Sequence, residues 1–146
     1  MARPVGADAE LTKQRVLGAA AHLFADKGEG QTSMRQIASE AGVSLGTVHH
    51  YFGSKAKLYE ACIEAMYAEL GDLRDRLLGQ FEAGAVPRAV VDDGIRSAFR
   101  FVREHQSAVR LIMRDVVEVG EVDPGRRARF VNPSLDHAVA LLQPIL

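Results

Sequence analysis

Apolar residues in this chain return at helical intervals, and nowhere do they alternate over more than a few positions as a half-buried strand requires. Val16, Ala20, Leu23 and Phe24 fall on one helical face, and Gly28 follows where a left-handed C-terminal residue is wanted. Gly28-Glu29-Gly30-Gln31-Thr32 then reads as a short loop. Ser33 with Gln36 three residues on is a capping-box pair that opens a second helix, with Ile37 and Ala38 on its buried side and Ala41-Gly42 at its end. Ser44 caps a third helix, which runs through Tyr51-Phe52 to Gly53, and Ser54 is placed to cap a fourth.

The fourth helix is long: Leu58, Cys62, Met66, Leu70, Leu73 and Leu77 make one apolar seam, with Glu64, Glu69, Asp72, Arg74 and Arg76 at exposed positions. Gly84-Ala85-Val86-Pro87 interrupts it, and Pro87 suits the first turn of a fifth helix that would bury Val91, Ile95, Ala98, Phe99 and Val102. A sixth is expected from near Ser107, with Val109, Ile112, Met113 and Val116. Glu118 to Gly125 reads as a loop, and Asn132-Pro133 as the start of a last amphipathic segment carrying Leu135, Val139 and Leu142. The expected fold class is all-α. A three-helix head over residues 1–54 is joined by the long fourth helix to a helical body over residues 55–146.

Composition narrows the class without naming a function. The 146 residues, 47% apolar and 25% charged, are those of an ordinary soluble domain with room for a core. The single cysteine, Cys62, excludes an intrachain disulfide and fits a reducing cytoplasm. Met1 to Glu10 lacks the pattern of a secretory signal, and no apolar run reaches the ~18 residues of a membrane span. The net charge of −1 is unevenly spread: residues 1–58 hold seven Lys or Arg against five acids, the remainder eleven against fourteen. A basic front and an acidic rear suit a molecule that presents one end to phosphate.

The front end carries the one pattern with chemistry in it. Ser33–Glu40 and Ser44–Phe52 are two short helices across a tight turn, a helix-turn-helix in which Ala38 is small at the crossing, Gly42 permits the turn and Val48 anchors the second helix on the first. With Val48 inward and about 100° per residue, Phe52 lies inside the core and Gly46 and His50 lie at the centre of the outward face. Thr47 and His49 flank them, with Tyr51 at the shoulder, and the face carries no acid; Leu45, at the start of the helix, is counted with these as a DNA-binding candidate. Glycine there admits a close neighbour, and hydroxyls and imidazoles can donate to phosphate or base edges. Ser54-Lys55 begins a helix whose positive end suits a phosphate.

The run Ser33-Met-Arg-Gln-Ile-Ala-Ser-Glu-Ala-Gly-Val-Ser-Leu-Gly-Thr-Val-His-His-Tyr-Phe-Gly-Ser-Lys55, preceded by Val16-Leu17, Ala20, Leu23-Phe24 and Gly28, resembles the tetracycline-repressor (TetR) family, over roughly residues 11–62. The resemblance implies that Ser33 and Arg35 hold phosphate at the start of the second helix. It implies that Ser44, Thr47, His49 and His50 are recognition-helix contacts, that Tyr51 meets the DNA backbone and that Lys55 binds phosphate. This sequence departs from the family at His49-His50-Tyr51, where a tyrosine more often comes first and a histidine or tyrosine third. The resemblance further implies a body that dimerises and binds an effector, and members usually continue with more helices, so the body is expected to be incomplete at its C-terminus.

Other chemistry finds little support. His49 and His50 diverge by about 100° and cannot chelate one metal ion together; no cofactor motif and no nucleophile–base set is present, so an enzyme is not expected. Met66, Phe81, Phe99 and Met113, with Phe101, are candidates to line an apolar effector pocket, although apolar residues at helical spacing are core by default. Two functions compete: a cytoplasmic homodimeric repressor released from a palindromic operator by a small apolar ligand, and a DNA-binding architectural or cell-cycle factor of the same fold without an inducer. A cavity of several hundred Å³ in the body would favour the first.

Overall fold

The computed structural model describes residues 5–78, 88–120, 122–133 and 135–136, and among them there is no strand. The helices are α1 (Val5–Lys27), α2 (Met34–Ala41), α3 (Leu45–Phe52), α4 (Lys55–Leu78), α5 (Arg88–Glu104), α6 (Gln106–Val119) and the single turn α7 (Pro124–Arg126), which continues into a π-helical stretch, Arg127–Val131. No helix among the described residues is long and apolar enough to cross a membrane.

One core organises the molecule. Val16 and Phe24 of α1, Ile37 of α2, Val48 of α3, Leu58 and Ile63 of α4 and Leu111 of α6 are all fully buried in a single cluster. Eight-residue helices such as α2 and α3 are well short of the length at which a helix stands alone in water, so packing must hold them. Burial of each large apolar side chain contributes roughly 1.5–3 kcal/mol toward that. Phe24 meets Tyr59 edge-on at 5.2 Å, tying α1 to α4. The buried stripe of α4 is wider than the seam read from the sequence: Tyr59, Ile63 and Tyr67 join Leu58, Cys62 and Met66, while Leu70 and Leu73 are half-buried.

The rear half differs from the sequence expectation. On α5, Ile95, Ala98, Phe99 and Val102 are exposed, Phe99 by 74%, and among the described side chains of this helix the one that turns inward is Phe101. On α6 Leu111 takes the core position, while Met113 is exposed and Val109, Ile112 and Val116 are half-buried. The periodicity located the apolar stripes, but no described element covers the stripe of α5. Glu118 and Val119 are the end of α6, closed by Gly120 in the left-handed conformation. The next helix opens earlier than expected, at Asp123, whose carboxylate accepts from Arg126 N–H, with Pro124 in the first turn. Asn132-Pro133 therefore lies inside a helical run rather than opening one. The turn before Pro133, which has no N–H to give, is of the wider π type. Arg126 and Arg129 reach Glu60 at 2.6 Å and Glu64 at 3.1 Å, holding this run on α4. Gly84–Pro87, Val139 and Leu142, and the side chains of Leu77 and Val91, lie outside the described residues.

Candidate nucleic-acid interface

The α2–turn–α3 unit is fixed at each end by its own side chains. Ser33 Oγ accepts from Gln36 N–H at 3.2 Å and the Gln36 side-chain carbonyl accepts from Ser33 N–H at 2.9 Å, closing the capping box. Gly42 stops α2 in the left-handed region at φ 64°. Arg15 reaches across from α1 to that stop, donating to the carbonyls of Ala41 at 2.6 Å and Gly42 at 3.0 Å. A guanidinium on the negative end of α2 pins the turn, and so sets the angle at which α3 leaves it. Thr32, the one buried polar side chain among the described residues, donates to Gly28 O at 2.7 Å and holds the preceding loop.

Helix α3 turns Val48 into the core and leaves Gly46, His49 and His50 exposed. Ser44 Oγ accepts from Thr47 N–H at 3.0 Å and pairs with the Thr47 hydroxyl at 2.8 Å, so the two hydroxyls sit together at the N-terminus of the helix. Leu45 is half-buried and leans on the core. His49 Nδ1 lies 2.9 Å from Gly53 O. His50 packs edge-on against Tyr51 with ring centroids 5.2 Å apart. A Cβ on Gly46 would meet only Ser44 Oγ, at 3.7 Å, an ordinary contact. From Ala41 to Tyr59 the chain has no acidic residue.

Cations flank this face, though not all where expected. Arg35 is exposed at the start of α2 with no partner among the described residues. Lys55 is half-buried and its ammonium donates to Glu29 O at 2.6 Å, so it holds the α1–α2 loop to the start of α4. Two lysines were missed in the sequence. Lys57, one turn into α4, is exposed, its N–H given to the Ser54 hydroxyl at 3.2 Å. Lys13 of α1 stands 5.7 Å above the Tyr51 ring. The capping signal at Ser54 could have pointed to Lys57, whereas Lys13 meets Tyr51 only through the packing of α1 on the motif.

Of the residues singled out for an effector pocket, the described ones, Met66, Phe99 and Met113, do not share a cavity. Met66 is buried and lines a groove of about 980 Å³ with Leu17, Cys62 and Arg103. Phe99 lines a separate open groove of about 850 Å³ between α5 and α6 with Arg96, Arg100, Val102 and Val109. Met113 is exposed and borders neither, because Leu111 and not Met113 faces inward on α6, and Phe81 lies outside the described residues.

Residues 16–62, which span α1 to α4, match the profile of bacterial regulatory proteins of the tetR family. Over 90 residues the chain is 40% identical to the HTH-type transcriptional regulator BetI of Rhizobium meliloti (strain 1021), a stretch covering 62% of this chain and 43% of that protein. It is 34% identical over 73 residues to the HTH-type transcriptional regulator AcrR of Shigella flexneri, covering 50% of this chain and 34% of that one. Among solved structures, a TetR-like transcriptional regulator from Rhodococcus sp. RHA1 superposes with a TM-score of 0.70 at 26% identity, over 90% of this chain and 69% of that one. The TetR transcription regulatory protein from Mycobacterium vanbaalenii does so with a TM-score of 0.64 at 28% identity, over 97% and 81%. The chain spans less than half the length of the curated relatives it matches. The helix-turn-helix, the matched residues and these neighbours agree: residues 16–62 are a domain of the tetR family of bacterial regulatory proteins.

Proposed function

We propose that this chain is a sequence-specific DNA-binding transcriptional regulator that reads the major groove with the outward face of α3. Gly46 is the observation that carries the reading. Neither its backbone conformation nor any neighbour demands glycine: its φ is not positive, and a Cβ would meet nothing closer than 3.7 Å. Glycine inside a helix costs roughly 0.5–1 kcal/mol relative to alanine. At the centre of an exposed, acid-free face, an unforced glycine leaves the backbone open to close approach from outside the chain, as DNA binding requires. In this reading Ser44, Thr47, His49 and His50 face the bases. Ser33, Arg35, Tyr51 and Lys57 hold phosphate, while Lys55 and Arg15 position the motif and Leu45 seats it on the core.

The finer reading is a cytoplasmic homodimeric repressor on a near-palindromic operator, with recognition helices in successive major grooves roughly 34–36 Å apart, released by a small apolar effector. An α4 that begins beside α3 and extends along the groove containing Met66 supports a link between body and head. Gly46→Ala tests the reading through two measurements of opposite sign. The variant is expected to unfold about 0.5–1 kcal/mol less readily and to bind its DNA site at least tenfold more weakly. A variant that is more stable and binds DNA undiminished would remove the support.

A further inference from the structure

The ring of His49 is committed on one side only. Its Nδ1 lies 2.9 Å from the carbonyl oxygen of Gly53, the residue that caps α3. A carbonyl can only accept, so Nδ1 carries the proton. In the uncharged ring this leaves Nε2 as a bare lone pair, and Nε2 has no partner among the described residues. The two nitrogens lie on opposite sides of an imidazole, so Nε2 is directed away from the Gly53 carbonyl, from a side chain exposed on the acid-free face of α3. The backbone of the helix end has thus chosen the tautomer.

The geometry points to His49 as a specificity-determining residue that accepts a hydrogen bond from the exocyclic amino group of adenine or cytosine. This rests on the proposed DNA-reading role of α3. In the major groove only adenine N6 and cytosine N4 offer a donor, whereas guanine and thymine present acceptors that would face the lone pair with nothing between. Phosphate, an acceptor too, is excluded for the uncharged ring on the same ground. His50 has no such constraint: its ring contacts Tyr51 edge-on and no hydrogen bond among the described residues fixes its proton.

The test begins with duplexes selected from a random pool at pH 8 by the wild-type chain and by His49→Ala and His49→Phe, the second keeping a ring without nitrogens. Each adenine or cytosine of the wild-type site is then replaced in turn by its analogue lacking the amino group, purine or 2-pyrimidinone. The expected result is one position per half-site where the analogue weakens wild-type binding about tenfold and leaves both variants unaffected, the same position at which both variants select without preference. If wild type selects a site but its His49-dependent position is guanine or thymine, or no position depends on His49, the inference is overturned while the DNA-reading role stands. If wild type selects nothing, the DNA-reading role itself fails and the inference with it.

Discussion

The Cys62 thiol sits 3% exposed on α4 with Sγ 3.7 Å from Leu17 O, and burial pushes its pKa from 9.0 up to about 12. The raised value means that the folded chain keeps a proton that the unfolded chain gives up, so this side chain's contribution to stability is full below pH 9 and is lost as pH climbs toward 12. A thiolate reagent should therefore react with native chain at pH 8 only at the rate of unfolding, and immediately in denaturant. Equal rates in the two conditions would contradict the burial. The seam of α4 marked Cys62 as packing from the sequence, because one helical face suffices to say so. Contacts that need two elements were not legible there. Arg15 on the α2 stop, Lys13 above Tyr51 and the His49 tautomer each depend on where a neighbour or a helix end comes to rest.

Helices α1 to α4 were legible because their ends carry local chemistry: Ser33 with Gln36, Ser44, and glycines 28, 42 and 53, all with positive φ. The rear half lacks that agreement. His105 precedes α6 without a side-chain cap, and Asp123-Pro124 is as good a start signal as Asn132-Pro133. Periodicity alone cannot say which of several apolar residues faces a neighbour, hence Phe99 and Met113 outward and Phe101 and Leu111 inward. The start of α4 gives the prediction proper to this scale. Lys57→Ala should weaken binding to specific and random DNA alike and make the dependence of log affinity on log salt shallower by about one unit. Lys55→Ala should instead cost stability on the order of 1 kcal/mol through the lost Glu29 contact. Denaturant titrations and binding at several salt concentrations separate the two, and an exchange of their effects would reverse the assignment.

Across the whole molecule, head and rear helices are held by more than the shared core. Arg114 of α6 reaches the end of α1, donating to Ala25 O at 3.3 Å, and its guanidinium lies where a Cβ on Gly28 would approach to 3.2 Å. Gly28 thus answers two demands, a φ of 81° and the close approach of an arginine from a helix 86 residues away in sequence. The loop it opens is held in turn by Lys55 through Glu29 O, so a displacement of α6 would be felt at the end of α1 and the start of α4. The second of the two short helices set on this frame, α3, presents an acid-free face. Selection of duplexes from a random pool by the wild-type chain, read by sequencing, tests most directly that this face recognises DNA. The account predicts an enriched motif of a few base pairs, repeated in near-palindromic order where two chains bind together, and its loss with Gly46→Ala; a wild-type pool that stays random through successive rounds would contradict it.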